Sequence, residues 1–372
     1  MNIKSLLLGS AAALVAVSGA RAADAIIAAE PEPVEYVRVC DAFGTGYFYI
    51  PGTETCLRIH GYLRYDVGAG ELFAVTSATG DDTYFKRARF SFRTSTASET
   101  ELGTLRTYTE LRFQWDTNDT VTGYTNDNEF SVNFAWVQLG GLRVGKDESL
   151  FTTFTGYAGN VINDDIAGGE GPYDTNLISY TYTGGAFRAA IALEQGDDDS
   201  SVAGVRGGWG IDDYMPHVVV GLGYNAGMVD LSAVVGFDTR DDIVGATYDV
   251  GGWAAKVRAD ITLSEQASVW IMGMYGEASS AYATWIPYGA DDSWSVMAGG
   301  SYKATDKLTF NTQVQWIEAT SAAVDDRLSV VGNLNYEVVP GLVVTPEVVY
   351  YDDGTPGSDG EFGFYGRVQR SF

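Results

Sequence analysis

Seven arginines in the first third of the chain occupy alternate positions of three predicted β-strands. They are Arg58, Arg64, Arg87, Arg89, Arg93, Arg106 and Arg112. Alternate residues of a strand point to the same face, so these side chains share one face of the sheet that the strands form. A wall of guanidinium groups beside water would orient dipolar solutes and separate the paths of anions and cations, which requires no covalent chemistry.

The longest link between predicted strands, residues 147–175, carries the opposite charge. Asp164 and Asp165 lie near its middle and Glu170 follows them, with apolar residues interspersed. A long link with hydrophobic content is better explained by packing inside a structure than by exposure to water. We therefore expect these carboxylates to face the arginines across a narrow gap. In the alternative interpretation, the arginines are simply lumen-facing polar residues that pair with nearby acids such as Asp66, Glu110 and Asp116.

Residues for reaction chemistry are not found in the sequence. Neither G-x-S-x-G nor H-E-x-x-H occurs, and the two histidines, His60 and His217, are far apart. The run from Gly221 to Ala226 imitates a dinucleotide fingerprint, but it ends a predicted strand and no helix follows. We therefore predict that the protein is not an enzyme and has no cofactor and no metal centre.

Period-two alternation of apolar and polar residues extends from Leu57 to the end of the chain. In the first predicted strand, Leu57, Ile59, Leu63 and Tyr65 share one face, whereas Arg58, His60, Tyr62, Arg64 and Asp66 share the other. A later strand places Trp253, Val257 and Ile261 opposite Lys256, Arg258 and Asp260. The apolar face would point inward in a soluble sandwich, and outward in a barrel that crosses lipid.

The lengths of the links between predicted strands favour the barrel. Short turns occur at 140–141, 184–185, 225–227, 264–266, 305–306 and 340–341, with one more near 95–101. Longer links occur at 68–83, 117–127, 147–175, 197–214, 239–245, 278–292, 321–326 and 352–360. The short turns and the long links strictly alternate along the chain. This alternation is typical of outer-membrane barrels, which have tight periplasmic turns and long external loops. The predicted fold class is an all-β, transmembrane antiparallel barrel of about sixteen strands.

The ends of the chain and the charge indicate export. Residues 1–22 have the charged, apolar and small-residue parts of a cleaved signal peptide. Without its two basic residues, 21 basic and 49 acidic residues remain, a net charge near −28. This excess of acid speaks against nucleic acid as a partner. Cys40 and Cys56 reach an oxidising compartment and are predicted to form a disulfide, since a metal site would need more ligands.

The last predicted strand places Phe362, Phe364, Val368 and Phe372 on one face. A terminal phenylalanine on such a strand is the pattern that outer-membrane assembly machinery reads, so we predict Phe372 as an assembly signal. Arg370 departs from this pattern on the outward face, where it would reach lipid headgroups. Pairs and runs of acidic residues lie in the long links, at 81–82, 197–199, 212–213, 241–242, 291–292, 325–326 and 352–353. They either keep the surface solvated or bind divalent cations that bridge to lipopolysaccharide phosphates.

Two segments carry a family resemblance. The stretch 39–58, VCDAFGTGYFYIPGTETCLR, resembles the N-terminal signature of alphaproteobacterial porins of the Brucella–Rhizobium branch. The run 139–146, LGGLRVGK, is similar to the strand-turn-strand that precedes the third loop of general porins. The resemblance implies a homotrimer of sixteen-stranded barrels whose third loop, residues 147–175, folds into the lumen. The predicted domain organisation is a signal peptide at 1–22, a periplasmic-side segment with the disulfide at 23–56, and the barrel at 57–372.

Together these patterns predict a multi-pass barrel in the outer membrane of a Gram-negative bacterium, in contact with lipid and lipopolysaccharide. Its expected function is passive diffusion of small hydrophilic solutes and ions through a water-filled channel. An oligosaccharide-selective channel is the first alternative, because aromatic residues of a membrane belt and of a sugar site look alike in sequence. A closed structural barrel is the second, but about sixteen strands enclose an aqueous channel, whereas eight pack shut.

Overall fold

The computed structural model describes residues 37–76, 82–120, 123–197, 209–241, 249–287 and 290–372. The predicted signal peptide and the first part of the predicted segment 23–56 therefore lie outside the described residues. Within these ranges no helix is long and apolar enough to span a bilayer. The strands are β1 (Phe48–Tyr49), β2 (Cys56–Gly70), β3 (Ala74–Thr76), β4 (Asp82–Thr100), β5 (Gly103–Thr120), β6 (Gly123–Leu139), β7 (Leu142–Glu148), β8 (Asp174–Gly184), β9 (Phe187–Glu194), β10 (His217–Asn225), β11 (Val229–Asp238), β12 (Gly252–Thr262), β13 (Ala267–Gly276), β14 (Ser293–Thr305), β15 (Leu308–Ile317), β16 (Arg327–Val339), β17 (Leu342–Asp352) and β18 (Glu361–Ser371).

Sixteen of these strands form a closed antiparallel barrel. β2 and β4–β18 pair with their neighbours in chain order, and β18 pairs with β2, which closes the ring. The short β1 and β3 pair with β2 and β4 respectively, as additions to the ring. Closure gives every barrel strand two partners, so no strand edge has to meet lipid unpaired. The predicted fold class and strand number are confirmed.

Alternation along each strand separates an exposed apolar face from a polar inner face. In β2 the side chains of Ile59 and Leu63 are 48% and 59% exposed, whereas Asp66 on the other face is buried. In β12 Val257 is exposed, whereas Lys256 and Arg258 on the inner face are buried. This arrangement follows from a lipid environment outside the barrel and polar surroundings inside it.

The strand connections alternate between short and long, with one exception. The predicted long link 117–127 is wrong, because β5 continues to Thr120 and β6 begins at Gly123, so that residues 121–122 alone connect them. The residues of this predicted link instead pair across the two strands, from Thr117 with Asn126 to Thr120 with Gly123. The link 147–175 is shorter by two residues at each end, since β7 ends at Glu148 and β8 begins at Asp174.

The segment before the barrel and the last residue both attach to β2. Cys40 and Cys56 form the predicted disulfide with Cα atoms 6.0 Å apart, and β1 pairs with the beginning of β2. Phe372 exchanges two backbone hydrogen bonds of 3.1 Å with Gly61. A Cβ atom at Gly61 would lie 2.0 Å from the Ser91 carbonyl oxygen and 3.3 Å from the Phe372 ring. Only glycine fits this crowded position beside Phe372.

Candidate functional site

The segment that links β7 to β8, residues 149–173, begins with a short helix, α1 (Leu150–Phe154). Ser149 caps the helix and its Oγ accepts a hydrogen bond from the Phe151 backbone N–H at 3.1 Å. Glu194 of β9 holds this cap from the barrel wall. Its carboxylate accepts from the Ser149 hydroxyl at 2.8 Å and from the Leu150 N–H at 2.7 Å. The start of the segment is therefore attached to the inner face of the barrel.

Two aromatic side chains of α1 pack against neighbouring elements. Phe151 is fully buried and its ring centroid lies 5.1 Å from that of Tyr282, a residue between β13 and β14. Phe154 occupies space that Gly221 of β10 leaves free, since a Cβ atom there would lie 2.6 Å from the Phe154 ring. Gly223 leaves similar room for Arg188. The glycines that imitate a dinucleotide fingerprint thus make space for the side chains of Phe154 and Arg188.

Inner-face side chains of three distant strands, β12, β15 and β16, donate hydrogen bonds to backbone carbonyls of residues 149–173. The pairs are Lys256 to Glu170 (2.6 Å), Arg258 to Tyr157, Gln313 to Asp164 (2.6 Å), Gln315 to Gly168 (3.0 Å), Arg327 to Ala167 (2.9 Å) and Asn333 to Asn160 (3.0 Å). Glu347 of β17 accepts in return from the backbone N–H groups of Ile162 (2.5 Å) and Asn163 (3.0 Å). Val161 packs beside them with Val331 and Val349. The segment therefore contacts strands from β9 through β17.

Four of the seven predicted arginines form ion pairs with inner-face carboxylates of the wall. The pairs are Arg64–Asp66 (3.3 Å), Arg87–Asp116 (2.8 Å), Arg93–Glu110 (3.0 Å) and Arg112–Glu110 (2.8 Å). Arg367 of β18 adds a further bond to Asp66 at 2.8 Å. Pairing with Asp66, Glu110 and Asp116 is the arrangement that the alternative interpretation of the arginines describes.

Arg58, Arg89 and Arg106 have no carboxylate partner within the described part of the chain. Arg89 donates to the side-chain oxygen of Gln114 at 2.6 Å. Arg58 is the third residue of β2, and Arg106, which is exposed, is the fourth of β5. Both lie at the end of the barrel that carries the short turns.

The three predicted carboxylates of the segment have different environments. Asp165 is exposed, whereas Glu170 is buried and accepts from the Ala158 backbone N–H at 3.2 Å. Burial raises the pKa of Asp164 to about 8, and the negative charges of Glu170, Asp165 and Glu347 act in the same direction. Below that pH the Asp164 carboxyl carries its proton and no charge.

The arginine wall and the segment meet at Tyr173, which the sequence did not identify. Arg112 donates to the Tyr173 hydroxyl at 3.0 Å, and the amide of Asn133 donates to the same oxygen at 3.1 Å. Burial raises the pKa of Tyr173 above its ordinary value. Glu347 was also missed as an anchor of the segment. Alternation places Glu347 on the inner face, but no sequence signal pairs it with residues 162–163.

Comparisons with known proteins are consistent with this architecture. A family profile described as "Porin subfamily" matches residues 24–363. The chain is 52% identical to the porin Omp2b of Brucella suis biovar 1 (strain 1330), and 51% identical to that of Brucella melitensis biotype 1, over the whole of each chain. Among solved structures it is similar to the outer membrane channel DcaP of Acinetobacter baumannii, with a TM-score of 0.63, 16% identity and coverage of 87% and 99% of the two chains. The structure of Salmonella typhi OmpF with daunomycin has a TM-score of 0.58, with 11% identity and coverage of 86% and 98%.

Proposed function

The chain belongs to the porin family, and on that premise we propose how solutes pass through this outer-membrane passive diffusion channel. Small hydrophilic solutes and ions cross the barrel through water, past a narrow zone between residues 149–173 and the arginines of β2, β4 and β5. The observation that carries the proposal is the contact of Arg112 with Tyr173, because it joins the arginine wall to that segment.

We propose that residues 149–173 lie inside the lumen. The hydrogen bonds from Lys256, Gln313 and Asn333 support this position, since all three donors belong to inner faces of strands distant from β7. A segment held on the outside of the barrel mouth would not meet so many inner-face side chains. Its fixed path would narrow the channel without closing it.

The narrow zone then has one cationic and one anionic side. We propose that its residues are Arg58, Arg64, Arg87, Arg89, Arg93, Arg106, Arg112, Asp164, Asp165 and Glu170, with Arg58 and Arg106 toward the short-turn end. Ion pairs with Asp66, Glu110 and Asp116 offset part of the positive charge, which weakens the field across the zone. Arg89, without a carboxylate partner in the described residues, and the exposed Asp165 contribute most to the field that remains.

Passage of small solutes and oligomerisation are properties of the family, and we propose that this chain forms a homotrimer. We also propose that residues 1–22 are a cleaved signal peptide, that residues 23–56 form a periplasmic-side segment, and that Phe372 serves as the assembly signal. Arg370 is exposed beside the turn between β16 and β17, where it would meet headgroups of lipid or lipopolysaccharide.

Single-channel conductance in a planar bilayer, with uncharged sugars of increasing size added, tests the proposal. We expect stepwise openings in KCl and a loss of current that levels off once the sugar is too large to enter. A barrel that inserts and conducts no ions contradicts the channel. Block by one oligosaccharide at far lower concentration than by others of its size would favour the selective alternative.

A further inference from the structure

A cavity of about 310 Å³ lies between helix α1 and the inner faces of β7, β8 and β9. Leu150, Thr153 and Phe154 of α1 line it, together with Gly141 of the turn between β6 and β7. Thr181, which also lines the cavity, is exposed, so the space is accessible from water. We call this space the α1 cavity.

One side of the α1 cavity presents a guanidinium with unused donors. Arg188 forms a bond to each oxygen of Asp230 through Nη1, at 2.7 and 2.9 Å. Within the described part of the chain, its Nε and Nη2 form no hydrogen bond. Its guanidinium carbon lies 5.6 Å from the centroid of the Phe154 ring. Arg188 is thus held in place while donors remain for an oxygen ligand.

Another side presents a carboxylate with an unused acceptor. Glu148 is 2% exposed, and its Oε2 accepts a hydrogen bond from the Tyr157 hydroxyl. Its Oε1 is buried and has no hydrogen-bond partner among the described residues. A buried carboxylate oxygen without a partner is costly, so a bound donor or cation there would be stabilising.

The other two charged residues of the α1 cavity, Asp147 and Arg143, form hydrogen bonds with each other. Asp147 accepts from Arg143 at 2.5 Å and from the Glu148 backbone N–H at 2.9 Å. Arg143 also donates twice to Gln138, at 3.1 and 2.8 Å. Among the charged lining residues that the structure describes, Arg188 and Glu148 are therefore the two with an atom that forms no hydrogen bond. Beside them Leu150, Phe154 and Leu177 supply an apolar surface.

We propose that the α1 cavity is a transient binding site for free α-amino acids with apolar side chains. The carboxylate of the amino acid meets Arg188, its ammonium meets Glu148, and its side chain rests on Leu150, Phe154 and Leu177. The ammonium of a bound amino acid stabilises the ionised form of Glu148, so that the complex has guanidiniums beside the carboxylate of the ligand and a carboxylate beside its ammonium. This arrangement favours a zwitterion over a simple anion or cation, which lacks one of the two charges. The inference rests on the proposed channel, since the amino acid reaches the cavity through the lumen.

Current block by three related compounds tests the charge requirement. L-leucine carries both charges, L-leucinamide carries only the ammonium, and N-acetyl-L-leucine carries only the carboxylate. Each is titrated into fixed KCl on the short-turn side of wild-type channels in a planar bilayer. We expect half-maximal suppression by leucine at a concentration at least about tenfold lower than for either derivative, since each lacks one charge-assisted contact.

Substitutions then test the two residues. Arg188→Gln and Glu148→Gln should each raise the half-maximal leucine concentration about tenfold, because each removes one charge-assisted contact. Lys303→Gln and Asp306→Asn are matched controls, since they change the same charges in an ion pair at the same end of the barrel, outside the cavity. The leucine effect is normalised to the rate at which glucose enters liposomes that contain the same variant, which also identifies any variant that does not fold.

Equal block by leucine and its two derivatives overturns the site. The site is also overturned if Arg188→Gln and Glu148→Gln have the same half-maximal leucine concentration as the two control variants. In both cases the wild-type channel still passes KCl and glucose. If the wild-type barrel passes neither, the proposed channel fails as well. The two failures are therefore distinguishable in one set of measurements.

Discussion

Two adjacent residues, Asp164 and Asp165, illustrate what the environment does to identical side chains. Asp165 is exposed, whereas Asp164 is half-buried, and desolvation together with the negative charges of Glu170, Asp165 and Glu347 raises its pKa to about 8. The sequence predicted both as members of one anionic group. It could not distinguish them, because the difference comes mainly from burial, which the folded path of the segment sets, and then from the negative charges of Glu170, Asp165 and Glu347. With the Asp164 carboxyl protonated at neutral pH, Asp165 is the exposed acidic residue of the pair in the proposed narrow zone.

The stability of the barrel should depend on pH through Asp164. A carboxyl whose pKa is raised from 3.8 to about 8 holds its proton more tightly in the native state. Its favourable contribution is full below the unfolded value and is lost as the pH rises through the folded value. We expect the thermal unfolding temperature in detergent to fall across this interval. Asp164→Asn should flatten the slope of unfolding temperature against pH, whereas Asp359→Asn, at an exposed position, should leave that slope unchanged. Equal slopes in wild type and Asp164→Asn would contradict the assignment.

Ion selectivity should also distinguish the two aspartates. At neutral pH Asp165→Asn should lower the cation-to-anion permeability ratio roughly twofold, and Arg89→Ser should raise it by a similar factor, since each removes one screened charge from the proposed narrow zone. Asp164→Asn should have little effect until the pH exceeds about 8, where the wild-type carboxyl ionises. Reversal potentials across a KCl gradient measure the permeability ratio of each of the three variants. If neither Asp165→Asn nor Arg89→Ser moves the potential, those residues do not line the narrow zone.

At the scale of elements, the segment 149–173 is fixed mainly by side chains that bind its backbone. Lys256, Arg258, Gln313 and Asn333 donate to carbonyls, and Glu347 accepts from two N–H groups. Buried backbone groups that leave water need such partners. This mode of attachment leaves no pattern in the segment's own sequence, because every residue offers the same carbonyl.

Glycine at position 221 should be required for the docking of α1. A Cβ atom there would lie 2.6 Å from the Phe154 ring, whereas one at Gly273 of β13 would have no heavy atom within 4 Å. We expect Gly221→Ala to destabilise the barrel by about 1–3 kcal/mol through overpacking, and Gly273→Ala to have a much smaller effect. Thermal unfolding of the two variants measures this difference. Similar losses in both would mean that backbone propensity, and not Phe154, sets the requirement.

Removal of Glu347 should release the middle of the segment. Glu347→Ala leaves the N–H groups of Ile162 and Asn163 without their acceptor, at about 1–3 kcal/mol each. We expect noisier single-channel currents and higher mean conductance, because the segment would no longer keep one position. Glu337→Ala is the control, since that carboxylate accepts from Gly341 in a short turn. If the currents of Glu347→Ala are as quiet as those of the wild-type channel, the other anchors are sufficient to hold the segment in place.

At the scale of the whole molecule, alternation predicted the barrel and its sixteen strands, and the chain order of the pairing follows from short antiparallel connections. The ends of the strands were less predictable. β5 and β6 pair as far as Thr120 and Gly123 although the residues there are polar and typical of loops. Backbone pairing can continue beyond the apolar band, where no lipid imposes alternation. The alternation along each strand predicted that the arginines lie on the inner face. It did not predict how far along the barrel axis each arginine lies.

The net charge of −26 leads to a prediction about the whole channel. Many acidic residues lie in the long links at one end of the barrel, among them Asp325, Asp326 and Asp353. Their field concentrates cations at the channel mouth, but only within the Debye length, which is about 10 Å at 0.1 M salt and about 3 Å at 1 M. We therefore expect a weak cation preference in dilute KCl that fades as the concentration rises.

Reversal potentials at one fixed KCl ratio, measured from dilute to concentrated solutions, test this salt dependence. Asp325→Asn combined with Asp326→Asn should reduce the preference in dilute salt and leave the potential in concentrated salt unchanged, because screening already removes the contribution of distant charges there. Asp165→Asn should retain more of its effect at high salt, since a charge in the narrow zone acts on ions at short range. If selectivity is the same at every concentration, the preference arises in the narrow zone alone and the acidic links do not contribute.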